Sequence, residues 1–171
     1  MLLDRHPRAG WRERRCASVD FWLEVHDGLR RDAAALRAAG DDYHRQRVAV
    51  RELAVLATPR LRGLLAQLAA HHDAEEFHYF PAFRDAERRL APGFDLLARD
   101  HQRLAQESAV ALAALNDLIV AAEPRASPDA AAPRLAAERY VSASARILDR
   151  LARHLDDEED LVVPLLLERR G

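Results

Sequence analysis

A single cysteine, Cys16, rules out an internal disulfide and fits a reducing compartment. Glycine is scarce, at 6 in 171 residues, and β-branched runs are almost missing, so little in the chain favours strands or tight hairpins. Lysine is absent: all 26 basic residues are arginine. A formal net charge of −2 leaves no broad basic face, and no nucleic-acid partner is expected. No apolar run is read as approaching the roughly 18 residues that span a bilayer. Met1-Leu2-Leu3 runs at once into charge, so no secretory signal and no membrane partner are expected either. These absences give a cytoplasmic expectation.

What is present is alanine, leucine and arginine, a composition that favours helix throughout. The length suits one domain with a real core. Residues 1–17 read as a loosely held, arginine-rich lead-in. Arg8, Arg12, Arg14 and Arg15 there could form a basic patch, but a solvated tail is the plainer reading. Cys16, beside those arginines, reads as an ordinary free thiol.

Residues 18–171 read as the domain. Ser18 is the expected N-cap of a first helix, with Asp20 in its first turn. Trp22, His26, Leu29, Ala33 and Leu36 then fall at helical spacing, and Gly40 is expected to end that helix. Residues 43–57 are helical in composition. Thr58-Pro59 reads as a new helix start in preference to a kink, which leaves a short extra helix or extension between the first two bundle helices. Leu61, Leu64, Leu68, His71, Glu75 and His78 stripe the second helix, expected to fade between Pro81 and Pro92-Gly93. A third helix from about Phe94 carries Leu97, His101, Leu104, Ser108, Ala111 and Leu115. Residues 123–133 form the clearest loop, and a fourth helix runs from about Arg134 to Glu168 with Leu151, His154, Glu158 and Leu161 on its stripe. Two such pairs give an all-α, antiparallel, up-and-down four-helix bundle.

Residues 71–81 and 154–164 repeat one another. Aligned at His71 and His154, they share an acidic residue at the second place after it, Glu75 and Glu158 at the fourth, Glu76 and Glu159 at the fifth, and Pro81 and Pro164 at the tenth. Positions four apart lie one above the other on a helix, so a His nitrogen and a Glu oxygen can point at one atom. His26 and His101 sit alike, each with a large apolar residue four before it and leucine three after it. A lone His on an apolar stripe is more often a hydrogen-bonded core residue, and a lone His-x-x-x-Glu is usually a surface pair. The joint, repeated pattern favours a metal centre instead. His26, His71, Glu75, His101, His154 and Glu158 are its candidate ligands, because metal ions would remove the cost of burying unpaired carboxylates. Mixed nitrogen and oxygen donors suit iron or manganese, and without thiolates a cysteine-bound zinc site is disfavoured.

His72 is read as a flank of His71, since the repeat has Leu155 at that place. His78 reads equally as a channel residue or a polar helix end. Glu76 and Glu159 are read as surface charges in preference to supports of the ligands. Phe77, Tyr79, Phe80, Trp22 and Tyr140 are read as packing residues; His6 and His44 have no supporting pattern.

From Val19 to Leu167 the chain resembles the hemerythrin-like (HHE cation-binding) proteins, through a helix-A His, a helix-B His-x-x-x-Glu, a helix-C His and a helix-D His-x-x-x-Glu. The resemblance implies a non-haem di-iron centre bridged by Glu75, Glu158 and an oxo or hydroxo group. His26, His71, His101 and His154 would then be terminal ligands, two per iron. It implies dioxygen, nitric oxide or hydrogen peroxide as the small-molecule partner, with an external electron donor. The alternative is a non-catalytic oxygen- or iron-binding or redox-sensing module. Oxygen-carrying hemerythrins have a second His one turn after the helix-C His, where this chain has Ala105. The expectation is therefore a more open, four-histidine site, closer to family members that handle nitric oxide or peroxide or maintain iron–sulfur centres. Members with the last role often carry a small cysteine-containing segment ahead of the bundle; here only Cys16 stands there.

Overall fold

Apolar residues at three- and four-residue spacing build four long helices, in a computed structural model that describes residues 2–11, 13, 14, 16–123 and 131–169. A short helix α1 (Leu2–Arg5) leads in. The long helices are α2 (Ala17–His44), α3 (Val50–Ala74), α5 (Ala91–Ala121) and α6 (Ala132–Glu168). Helix α3 runs through a π-helical turn, Glu75–Tyr79, into α4 (Phe80–Ala86). Among the described residues there is no strand. Helix α2 lies beside α3 and α6, and α5 beside α3 and α6, so the four close a ring with α2 diagonal to α5. This is the expected all-α bundle.

The core has two apolar parts with a polar layer between them. One part is built on Leu29, Leu68, Leu104, Leu151 and Leu155. The other is built on Trp22, Phe80, Phe94, Leu97 and Val162. Each helix crosses from one part to the other at its His or Glu residues: Trp22, His26, Leu29 on α2, and Leu97, His101, Leu104 on α5. The polar side chains are thus sealed above and below by apolar packing.

Several helix ends differ from the sequence expectation. The residue before α2 is Cys16, with no side-chain cap, rather than Ser18. Gly40 does not end α2; it lies inside the helix, where a Cβ would stand 3.2 Å from Val141 Cγ1 of α6. Its role is close approach. The stop lies just past His44, where Gln46 takes φ 57°, with Gln46 N–H bonded to the Tyr43 carbonyl and Arg47 N–H to that of Asp42. That is a Schellman stop with glutamine in the left-handed position. Thr58-Pro59 does not start a helix: α3 is continuous through it, so residues 43–57 extend α2 and α3 and form no separate helix. Proline removes one backbone donor there. Thr58 Oγ1 donates to the Ala54 carbonyl at 2.6 Å and Arg60 Nη1 to that of Leu56 at 2.8 Å, supplying neighbouring carbonyls from side chains. Pro92-Gly93 begins α5, not the loop before it, and Gly93 leaves room for Leu161, whose Cδ2 would lie 2.9 Å from a Cβ. Most of the loop expected at 123–133 lies outside the described residues, and α6 already includes Ala132 and Pro133.

The described residues of the lead-in are docked and do not form a solvated tail. Trp11 is buried in the second core part and its Nε1 donates to the His6 carbonyl at 2.8 Å. Arg5 and His6 pair with Glu168, and Arg8 with Asp160 at 2.7 Å. Arg14 lies against His6 at 2.8 Å; Arg12 and Arg15 of the suggested patch lie outside the described residues. Trp11→Ala is therefore expected to cost about 3 kcal/mol, read as a lowered denaturant midpoint. An unchanged midpoint would restore the loose tail.

One helical stretch, Arg88–Ala121, is long and apolar enough to cross a membrane by length and composition, contrary to the sequence reading. Its hydropathy comes mostly from leucine, isoleucine and valine in its C-terminal half. It also carries Glu107 and Asp117 and turns Phe94, Leu97, His101, Leu104, Ala111, Leu115 and Leu118 into the bundle.

Candidate metal centre

Helix α2 brings His26 to the polar layer, α3 brings His71 and His72, the π-helical turn brings Glu75, α5 brings His101, and α6 brings His154 and Glu158. All six sequence candidates meet there. The turn begins at Glu75 itself: Phe80 N–H reaches the Glu75 carbonyl, and the following Pro81 has no N–H to offer. The widened turn sits where the helix faces the cluster.

His72 is a seventh member that the sequence reading set aside. It is 9% exposed, and its ring stacks on His101 with centroids 3.8 Å apart and planes at 10°. Glu75 has two neighbours one turn back, His71 at four residues and His72 at three, and both spacings share a helix face. The repeat argument also points this way, because Leu155, its counterpart, is fully buried. Both copies turn that position inward. The expected four-histidine site is replaced by one with five imidazoles.

Two sets of donors result, the atoms of each lying within 4.8 Å of one another. One is His72, Glu75, His101 and His154; the other is His26, His71, Glu75 and Glu158. Each could hold a metal ion. Glu75 Oε1 lies 3.0 Å from His71 Nε2, and Oε2 lies 3.3 Å from His101 Nε2. Glu158 Oε1 lies 3.3 Å from His26 Nε2, and Oε2 lies 3.4 Å from His154 Nε2 and 3.8 Å from His71 Nε2. Each carboxylate thus turns an oxygen toward each set.

The second glutamate of each repeat holds a ligand-type histidine from behind. Glu159 Oε1 lies 2.9 Å from His26 Nδ1, and Glu76 Oε1 lies 2.9 Å from His101 Nδ1. Neither is the plain surface charge expected from sequence. A carboxylate on Nδ1 fixes the ring and turns Nε2 inward as a donor to a cation.

The inward atoms fit a cation. His26, His71, His72 and His101 Nε2, both His154 nitrogens and all four oxygens of Glu75 and Glu158 are buried without a hydrogen-bond partner among the described residues. Orphaned buried polar atoms are costly, and a cluster of them all aimed at one layer is the signature of a group they are built to bind. Burial pushes His71 down to about 4 and His72, beside His101, down to about 2, leaving both imidazoles neutral. Burial also pushes His26 down, but the Glu158 and Glu159 carboxylates outweigh it and raise it to about 9. Burial and the neighbouring Glu158 raise Glu75 to about 12. Burial alone would raise Glu158, yet the His154 and His26 imidazoles hold it well below the usual carboxylate range. Without metal, the carboxylate pair keeps one proton and His26 another.

Metal loading at neutral pH must displace those protons. The sign follows: affinity is expected to rise with pH from 6 to about 9, with proton release on binding at pH 7. Calorimetry in two buffers of different ionisation enthalpy measures it, and equal apparent enthalpies in both would contradict it.

An apolar cavity of about 430 Å³ opens between α2 and α3. Phe21, Trp22, Val25, Leu29 and Ala70 line it, and His71 and Glu75 are the centre residues it reaches. It touches the His26/His71 side and none of His72, His101 or His154. Trp22 and Tyr79 meet edge to face at 5.2 Å beside it, and Phe80 stacks on His101 at 5.5 Å. His78 is exposed, which fits a polar helix end, while His6 and His44 pair with Glu168 and Glu138 away from the centre. Cys16 is a free, half-buried thiol.

Fold and site together define a helical-bundle cation-binding domain of the histidine–glutamate type. The chain belongs to the hemerythrin family: the model described as hemerythrin HHE cation binding domain matches residues 17–168. Comparison with curated proteins and with solved structures gives no match.

Proposed function

We propose that the centre holds two non-haem iron ions bridged by Glu75 and Glu158, and that the protein binds or reduces a small oxidant there: dioxygen, nitric oxide or hydrogen peroxide. The observation that carries the reading is that each carboxylate presents an oxygen to both donor sets. Manganese suits the same nitrogen and oxygen donors. Iron would supply electrons and an open coordination position, and the chain supplies geometry, access and a dry surround.

The two positions are unequal in protein donors. One has three imidazoles, from His72, His101 and His154, and the other has two, from His26 and His71. The cavity reaches the second. The oxidant therefore approaches past Phe21, Trp22 and Ala70 to the side with fewer protein donors, and the apolar lining favours uncharged molecules over anions. Apolar packing on both sides of the polar layer keeps bulk water off the bound oxidant.

Filling the cavity tests this reading. Ala70→Phe is expected to slow nitric oxide binding to the reduced protein at least tenfold, followed by stopped-flow absorbance, with metal content unchanged. An unaltered rate would send the oxidant by another route. A non-catalytic binding or sensing module is the second reading. Reversible dioxygen spectra without turnover would support it, and catalytic consumption of peroxide or nitric oxide would support an enzyme.

A further inference from the structure

The repeat places one glutamate behind each of His26 and His101, but the two are not alike. Glu159 is 5% exposed and carries a second partner, Arg30 Nη1 at 2.6 Å, while Arg30 Nη2 holds Asp156 at 2.8 Å. The Glu76 side chain is 42% exposed, and among the described residues it has His101 and no arginine. The difference is written in the sequence. Arg30 stands four residues after His26, and the matching residue, four after His101, is Ala105.

A carboxylate bonded to the Nδ1–H of a metal-binding imidazole pushes negative charge into the ring and makes Nε2 a stronger donor. An arginine on that carboxylate draws the charge back, since a guanidinium–carboxylate bond is among the stronger contacts a carboxylate makes. Water screens Glu76 without cancelling its charge. His101 is thus the better-supported donor and His26 the weaker one. The imbalance adds to the count of three imidazoles on the His101 side and two on the His26 side. Arg30 also places a positive charge near the second position, which opposes a cation there.

We propose that Glu76, Glu159 and Arg30 are positioning residues that set an order of metal loading. The His72/His101/His154 position fills first and tightly, and the His26/His71 position fills second and stays exchangeable. This rests on the two-metal reading above. It gives the Arg30 position a role opposite to that of a structural ion pair: the arginine weakens the second site.

Anaerobic titration of the metal-free full chain with Co(II), followed by its visible absorption, tests the proposal. Two steps are expected, the first at least tenfold tighter. Glu76→Gln is expected to weaken the first step 10- to 100-fold and leave the second nearly unchanged, and Glu159→Gln to weaken the second alone. Arg30→Gln is expected to tighten the second step several-fold, a gain that loss of a merely structural contact would not produce. Glu76 is partly exposed, so Glu76→Gln keeps the test independent of any folding defect in Glu159→Gln. If Glu76→Gln and Glu159→Gln weaken the same step, or Arg30→Gln weakens the second, the proposal is overturned. Binding of one Co(II) per wild-type chain would overturn the two-metal reading itself.

Discussion

Glu75→Gln is expected to make the metal-free protein more stable by about 3 kcal/mol at pH 7 while abolishing metal binding. Folded, metal-free protein holds the Glu75 proton to about 12, whereas the unfolded chain releases it near the ordinary 4.5. A group raised in this way contributes its full stability below the unfolded value and loses it progressively as pH rises toward the folded one. Keeping the proton at pH 7 costs about 1.36 kcal/mol for each of roughly 2.5 pH units. Glutamine presents a neutral side chain of the same shape and removes that cost. The gain should be absent near pH 4.5 and larger at pH 8 than at pH 5, measured as denaturant midpoints of chelated protein. Equal gains at both pH values would mean that Glu75 is ionised in the folded, metal-free state. Opposite signs for stability and metal binding mark a residue kept for function at the expense of the fold.

His72→Ala is expected to lower the metal content from two ions to one per chain. The imidazole lies against His101 and His154, at 3.8 and 5.3 Å between centroids, so its loss takes a donor from the three-imidazole position. Leu155→Ala makes the comparison. It removes a buried residue at the matching place of the repeat, at a cost of about 2–5 kcal/mol in stability, and leaves the metal content alone. Elemental analysis of both variants after identical purification decides. Unchanged metal in His72→Ala would return the centre to four histidines.

The four helices, the two His-x-x-x-Glu motifs and the striped His26 and His101 were legible in the sequence because helical periodicity survives burial of polar groups. His72 falls outside the four-residue spacing, and its counterpart Leu155, which suggests a flank, is a buried leucine and so marks an inward position. For Glu76 and Glu159 the sequence favours surface charges over supports of the ligands, because their partners lie on other helices, His101 on α5 and His26 on α2, and no local pattern announces a contact across the bundle. The π-helical turn at Glu75 had one local trace, the proline at 81, but Pro164 follows the same motif in α6 without such a turn. Gly40 suggests a stop because glycine permits positive φ; in the fold it permits the approach of Val141, and Gln46 supplies the stop. The docking of Trp11 depends on tertiary packing that no periodicity in a short, arginine-rich lead-in encodes.

Metal analysis of aerobically purified protein, paired with its near-ultraviolet spectrum, tests the central claim most directly. The two-iron centre predicts about two irons per chain with charge-transfer absorption, both lost together in Glu158→Ala. Protein purified with no metal, or a metal content and spectrum untouched in Glu158→Ala, would contradict it.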